Sequence, residues 1–369
     1  MIVSVLQENL LRALTRAGRT VSVRPQLPIV QNVLLQTREG RLQITTTNLE
    51  NTETVWVGAK NEKDGGICVP ARLLTEFVLT LPAETVSLRV EDGGLLVQCA
   101  GFRATIPGVS VKEFPSPPEA SAGGGEKLDK EALVAALSMV LFAAATDEGR
   151  PVLTGVRIKT EKEETVFAAT DGYRLSLRRV SRVGGSPLDL IVPARALFEL
   201  VKTSQEEHEA KHVTLTRSRD GQLIFVVGDT ELSTRLIDGE YPNIDKIIPT
   251  KFTTRALIDK EALFRAVKSA ALFARDNANI VQLSVVNQSI VVSASSSQMG
   301  KNQVEVAAKV DGEGGEIAFN SRFVLELLSN FPESEILFEM TGALNPGVFR
   351  PIKDSSFLHI IMPVRTSSG

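Results

Sequence analysis

A chain of 369 residues is long enough for two or three domains, and 43% hydrophobic with 23% charged residues supplies real cores and excludes global disorder. Forty-one Lys and Arg against 44 Asp and Glu leave a net charge of −3, so bulk charge gives no support for a nucleic-acid binder and leaves room only for a local basic patch. No apolar run reaches eighteen residues, which predicts no membrane-spanning helix and makes the cytoplasm the expected location.

The first eighteen residues read as a strand and a helix and not as an export signal, because Glu8 is acidic and no small-residue cleavage site follows. Three segments open alike: Glu8-Asn9-Leu10-Leu11-Arg12-Ala13-Leu14, Glu131-Ala132-Leu133-Val134-Ala135-Ala136-Leu137 and Glu261-Ala262-Leu263-Phe264-Arg265-Ala266-Val267. Each places apolar residues at helical spacing. A second trio follows in Val69-Pro70-Ala71-Arg72, Val192-Pro193-Ala194-Arg195 and Phe319-Asn320-Ser321-Arg322, where Pro or a capping Asn suits a helix start. Measured between Glu8, Ala71, Glu131, Ala194, Glu261 and Ser321, the steps are 63, 60, 63, 67 and 60 residues, which predicts six short helices at a nearly constant interval.

Between the helices the pattern changes to strands: 42–49, 86–90, 95–99, 165–169, 213–216, 223–227, 290–294 and 336–340 are β-rich, several divided by turn formers such as Asp220-Gly221. Glu113-Phe114-Pro115 recurs 127 residues later as Glu240-Tyr241-Pro242. The repetition predicts three domains of two helices each, at 1–120, 127–247 and 253–369. The Pro-, Ser- and Gly-rich tract 115–125 reads as a flexible linker, whereas Ile244, Ile247 and Ile248 should anchor the second junction to a domain surface. The last strand begins at Phe357, and 366–369 should fray.

Catalytic motifs are missing. No GxSxG, HExxH, phosphate-cradling glycine loop or dinucleotide fingerprint occurs, and no cofactor or metal is expected. His208 and His212 lie four residues apart but gain no third ligand, and read as a polar connector. Cys68 and Cys99 read as reduced core side chains.

Charge concentrates on the helices. The six together carry +4 and leave −7 on the rest. Arg12, Arg16 and Arg19 follow i, i+4, i+7 spacing and form a basic stripe opposite Leu10, Leu14 and Ala17. Arg265, Lys268 and Arg275 repeat the arrangement, and Arg195 with Lys202 supplies a partial version. Basic helices on an acidic body suit weak, sequence-independent attraction to phosphates.

Ordered motifs along nearly the whole chain resemble one family, the β subunit of bacterial DNA polymerase III. They are Arg24-Pro25 with Leu27-Pro28-Ile29, Arg150-Pro151-Val152-Leu153-Thr154-Gly155-Val156, Ala168-Ala169-Thr170-Asp171-Gly172-Tyr173-Arg174-Leu175, Gly239-Glu240-Tyr241-Pro242 and Ile361-Met362-Pro363-Val364-Arg365. The resemblance implies an α+β fold of three repeated DNA-clamp domains, each with two helices packed on antiparallel sheets, closing as a head-to-tail homodimer ring around double-stranded DNA. It implies a non-catalytic sliding clamp that confers processivity. The implied partners are the replicative polymerase catalytic subunit, the clamp-loader complex, and other polymerases, ligase and mismatch-repair proteins that dock short linear motifs.

The implied peptide groove comprises Leu153, Thr170, Gly172, Tyr173, Arg174, Leu175, Pro242, Ile247, Asn320, Phe323, Leu344, Met362, Pro363, Val364 and Arg365. Its apolar members would bury leucine or phenylalanine anchors, with Arg174 and Asn320 as directional hydrogen-bonders. Arg24 and Arg72 join Arg12, Arg16, Arg19, Arg195, Lys202, Arg265 and Lys268 as the DNA-facing set, and Arg103, Ile106, Leu272 and Phe273 form the expected seam. The alternative is a non-catalytic peptide-binding scaffold that does not encircle DNA. Three stretches depart from the family pattern: Gly149 before Arg150-Pro151, the stretch 298–303, which is less acidic than the family's, and a polar tail after Arg365.

Overall fold

The computed structural model describes residues 1–22, 27–120 and 125–365. Arg24, Gly123, Gly124 and the tail 366–369 lie outside the described residues. All six expected helices form: α1 (Gln7–Ala17), α2 (Ala71–Leu79), α3 (Lys130–Val140), α4 (Ala194–Glu206), α5 (Lys260–Ala274) and α6 (Ser321–Asn330). A strand precedes each helix and three strands follow it, with one more strand between α1 and α2, so each third of the chain is a pair of similar strand–helix–meander units.

Helix starts follow local chemistry. The Asp259 carboxylate accepts from Ala262 N at 2.7 Å to cap α5, and Asn320 Oδ1 accepts from Arg322 N at 3.0 Å to cap α6. Pro70 and Pro193 end strands immediately before α2 and α4. Periodicity then decides what each helix buries: Leu10, Leu14 and Ala17 of α1 and Leu263, Val267 and Ala270 of α5 are at most 2% exposed.

Two compact units emerge, and they divide the middle copy. The first, residues 1–131 and 195–236, holds a five-stranded and an eight-stranded antiparallel sheet. The eight-stranded sheet passes from the second copy to the first where Thr230–Thr234 pairs with Asn51–Gly58. Helices α1 and α2 pack on each other over a core that includes Val3, Leu35, Ile44, Leu74 and Val86. The expected flexible linker is partly anchored here, since Ala120 bridges to Ser218.

The second unit, residues 132–194 and 237–369, is built on one twelve-stranded sheet. It crosses from the second copy to the third where Arg174–Ser181 pairs with Phe357–Ile361. Helices α5 and α6 pack over a core containing Phe319, Phe338 and Phe349. Ile244 is buried, and Ile247 and Ile248 pack on the same cluster as Leu175, as the junction pattern implied. Cys68 and Cys99 are buried free thiols.

Candidate functional site

The residues expected to form the groove gather in the second unit around one tight turn. Thr170 ends the strand Glu164–Thr170 and Arg174 begins the next. The Thr170 hydroxyl donates to the Arg174 carbonyl at 2.6 Å and accepts from Gly172 N at 3.0 Å, while Asp171 Oδ1 accepts from the N–H groups of Tyr173 and Arg174. Gly172 sits at φ +90°, and a Cβ there would lie 2.7 Å from Arg150 Nη1. The turn therefore needs glycine, and it turns Tyr173 outward to 61% exposure.

Met362 N donates to the Tyr173 carbonyl at 2.8 Å, and Val364 N donates to Ala318 O at 2.8 Å. The C-terminal segment thus runs from the Tyr173 turn to the strand that ends at Asn320. Leu175 lies beneath it, opposite Ile360 in the register, in the cluster that Ile247 and Val152 cover. Leu153 is buried and Pro242 half-buried, whereas Leu344 and Met362 are exposed at 66% and 39%. The loop carrying Leu344 ends at Gly347, which pairs with Ile361 next to Met362. Exposed Tyr173, Leu344 and Met362 around a buried aliphatic floor form an apolar surface suited to adaptable peptide contacts. Pro363 and Val364 are half-buried and Arg365 is exposed.

Arg174 departs from its expected role. It is 8% exposed, with Nε on Asp171 at 3.1 Å, Nη1 on the Glu326 carboxylate and Nη2 on the Phe142 carbonyl at 2.6 Å. Its guanidinium also lies over Phe323, 4.6 Å from the ring centroid, and 5.7 Å from that of Phe142. A guanidinium engaged on three sides ties the Tyr173 turn to Glu326 of α6 and to Phe142, and has little left for a peptide. Likewise, Asn320 spends its carbonyl oxygen on the α6 cap. Below, His359 is fully buried, 2.6 Å from Ser176 Oγ through Nδ1 and stacked on Phe142. Burial, aided by nearby Arg174, pushes its pKa down to about 3, so it is neutral. Phe142 and Glu326 were missed in the sequence; the only local signal was one aromatic ring in an alanine-rich stretch.

The basic stripe on α1 does not survive intact. Arg12 is exposed, bonded only to Asn9 Oδ1, but Arg16 is buried. Its Nε meets Glu206 at 3.1 Å, and its Nη1 meets Glu207 and, at 2.7 Å, Thr230 Oγ1. The helix tightens to a 3₁₀ turn at Gly18–Thr20, so Arg19 leaves the α-helical register and pairs with Glu206. Spacing showed three arginines in line; it did not show the carboxylates that take one inward. Nearby Glu53 is fully buried and accepts from Thr20 Oγ1 at 3.0 Å. Burial raises its pKa from 4.5 to about 7, Glu199 adds to the rise, and Thr20, Arg19 and Arg16 oppose it.

Among the other expected DNA-facing residues, Arg72, Arg195, Lys202, Arg265 and Lys268 are all exposed. Arg72 pairs with Glu76 and Lys202 with Glu199, while Arg195 and Arg265 have no acidic partner among the described residues.

Two sheet edges are open among the described residues, and the first carries the expected seam residues Arg103 and Ile106. The strand Phe102–Pro107 pairs with Gly94–Cys99 on one side, and its other side is open among the described residues. In the strand Gly300–Gly312 the first eight residues pair only with Ser289–Ser296, since Thr254–Asp259 takes up the later part. Arg103 is exposed on the first edge, but Ile106 is 3% exposed in the core of the first unit, because strand alternation turns it inward. Phe102, exposed at 48%, is the large apolar side chain the sequence reading passed over on that edge. Leu272 is 49% exposed, and Phe273 rests partly on the core beneath α5.

Residues 1–118, 127–243 and 245–365 match the N-terminal, central and C-terminal domains of the DNA polymerase III beta subunit. The chain is 30% identical over 370 residues to the beta sliding clamp of Synechococcus elongatus, covering 98% of both chains, and 27% identical over 377 residues to that of Bacillus subtilis, covering 98% and 99%. It is similar in structure to the DNA polymerase sliding clamp from Bacillus subtilis, with TM-score 0.92, 25% identity and 99% of both chains covered. It is also similar to the sliding clamp from Bartonella birtlesii bound to griselimycin, with TM-score 0.93, 25% identity, and 99% and 100% covered.

Proposed function

Because the chain belongs to the DNA polymerase III beta subunit family, the beta sliding clamps, we propose that two copies close head to tail into a ring around duplex DNA. The protein is a DNA sliding clamp, a non-catalytic processivity factor that tethers the polymerase. Tethering by topology explains why exposed helix cations suffice: phosphate contacts of Arg12, Arg195, Arg265 and Lys268 impose no sequence and permit sliding.

Each subunit presents one groove, formed by the Tyr173 turn, the Leu175 floor and the Met362–Arg365 segment. Short linear motifs of the polymerase catalytic subunit, the clamp loader, other polymerases, ligase and mismatch-repair proteins insert apolar anchors there. The working location is the cytoplasm; none of the described helices is long and apolar enough to cross a membrane. The domain division that accompanies this reading is 1–120, 127–247 and 253–369.

The observation that carries the reading is the match of all three domains in order over nearly the whole chain. Gel filtration in high salt after loading onto circular duplex tests it. Protein retained on circles and released when they are linearised supports the ring, because topology survives salt and phosphate contacts do not. Retention indifferent to linearisation, or none after loader treatment, favours the peptide-binding scaffold.

A further inference from the structure

A cavity of about 430 Å³ opens within the first unit, where the turn after α1 meets the first half of α4. Its volume is in the range of small-ligand sites. Arg19, Arg195 and Lys202 stand in its wall; Arg19 is paired with Glu206 and Lys202 with Glu199, which leaves Arg195 as the uncompensated cation. Arg195 is exposed and has no acidic partner among the described residues, so its charge is available. It stands in the first turn of α4, a thirteen-residue helix that follows Pro193, whose side chain has no capping atom. The dipole of that helix adds positive potential near its first turn.

Two further features indicate more than an inorganic anion. Phe198, 43% exposed, presents an aromatic ring in the same wall. Asn51 lines it too, a largely buried amide at 8% exposure. A ligand that satisfies all of these brings anionic oxygen, a flat apolar face and a polar ring edge.

We propose that this cavity takes one nucleotide, its phosphate at Arg195 and the α4 N-terminus, its base against Phe198 and its polar edge on Asn51. Stacking on an aromatic side chain tolerates any base, and a base still paired within a duplex cannot reach the ring. The nucleotide comes either from single-stranded DNA or free from solution. This rests on the reading of Arg195 and Lys202 as facing DNA, but not on ring closure.

Fluorescence anisotropy of the full chain with a labelled ten-residue oligothymidylate, competed by thymidine 5′-monophosphate, tests the site. Saturable oligonucleotide binding should weaken about tenfold or more in Phe198→Ala and in Arg195→Ala, and be retained in Phe198→Tyr and in the distant surface variant Arg89→Ala. Competition by the monophosphate assigns the site to free nucleotides as well; binding without competition assigns it to the strand; both support the cavity. No saturable binding of either probe, or equal affinities in wild type and Phe198→Ala with unchanged thermal melting, overturns it. Retention on circular duplex, measured on the same variants, reports on the clamp reading separately.

Discussion

Met362 and Tyr173 are joined main chain to main chain, the Met362 N–H on the Tyr173 carbonyl at 2.8 Å. The bond continues the pairing of Phe357–Ile361 with Arg174–Ser181 by one residue, so the two exposed side chains that border the proposed groove are set by a single ladder. Met362→Ala should weaken a clamp-binding peptide by roughly 2 kcal/mol, about thirtyfold in Kd, as the loss of an anchor contact does. Deleting residues 362–369 should cost at least as much. Isothermal titration with one peptide decides it, and unchanged affinity in both variants places the groove elsewhere.

Arg174 predicts a stability effect alongside a binding effect. Removing it leaves the Phe142 carbonyl and two carboxylates without their shared donor, and Asp171 is itself only 15% exposed. Arg174→Ala should cost about 2–4 kcal/mol in denaturant unfolding, below the full cost of breaking a buried pair because Glu326 is half-exposed. Arg174→Lys should recover only part, since an ammonium cannot reach three acceptors in one plane or stack between Phe142 and Phe323. Wild-type stability with reduced peptide affinity would instead mark Arg174 as a direct peptide contact.

Arg12 and Arg16, one helical turn apart, should behave in opposite ways. Arg16→Ala takes the buried donor from Glu207 and Thr230, while Glu206 keeps Arg19, and should cost about 2 kcal/mol of stability. Arg12→Ala should move stability by less than about 0.5 kcal/mol. Its effect should be weaker DNA association at low salt that vanishes as salt rises. Thermal melts and salt-dependent DNA binding on both variants read the contrast directly.

Glu53 makes stability depend on pH. Its folded pKa of about 7 lies above its ordinary 4.5, so between these values the folded chain holds a proton the unfolded chain has lost. Stability contributed by the protonated form is whole below about pH 4.5 and falls as pH rises toward 7, reaching a cost of roughly 3 kcal/mol above it. Glu53→Gln keeps the acceptor for Thr20 and removes the charge. The variant should match the wild type near pH 4.5 and exceed its Tm at pH 8. Equal Tm differences at both pH values would mean that Glu53 is ionised in the fold throughout.

Periodicity and repetition made the six helices and most strands legible, because burial on one face imposes the 3.6 and 2.0 patterns directly. Composition alone placed the Ile244, Ile247 and Ile248 junction on a domain surface and a tight turn at Thr170-Asp171-Gly172, and both form. What stayed hidden depends on distant partners. Arg16 looks identical to Arg12 in the sequence until Glu206 and Glu207, some 190 residues away, fold against it. Arg174 reads as a free hydrogen-bonder until Phe142 and Glu326 close on it. The family resemblance puts Ile106 on the seam, whereas strand alternation turns it inward.

The seam follows from two open edges. An exposed strand edge is a template for pairing, and this chain offers one at Phe102–Pro107 and another along the first half of Gly300–Gly312. Different edges joined head to tail close a two-membered ring, which predicts a particle of about 80 kDa, twice the 39.9 kDa chain. Leu272 and Phe273 on α5 should supply the apolar anchor. Replacing both with Ala should therefore yield monomers in sedimentation at micromolar concentration, with domain unfolding little changed for exposed Leu272 and modestly earlier for half-packed Phe273. Ile106→Ala should do the reverse: as a core side chain it should cost about 2–5 kcal/mol of stability through the cavity it leaves. The Ile106→Ala chain that still folds should remain dimeric. Monomers from Ile106→Ala, with dimers persisting in the Leu272/Phe273 double variant, would move the seam off α5 and onto the Phe102–Pro107 strand alone.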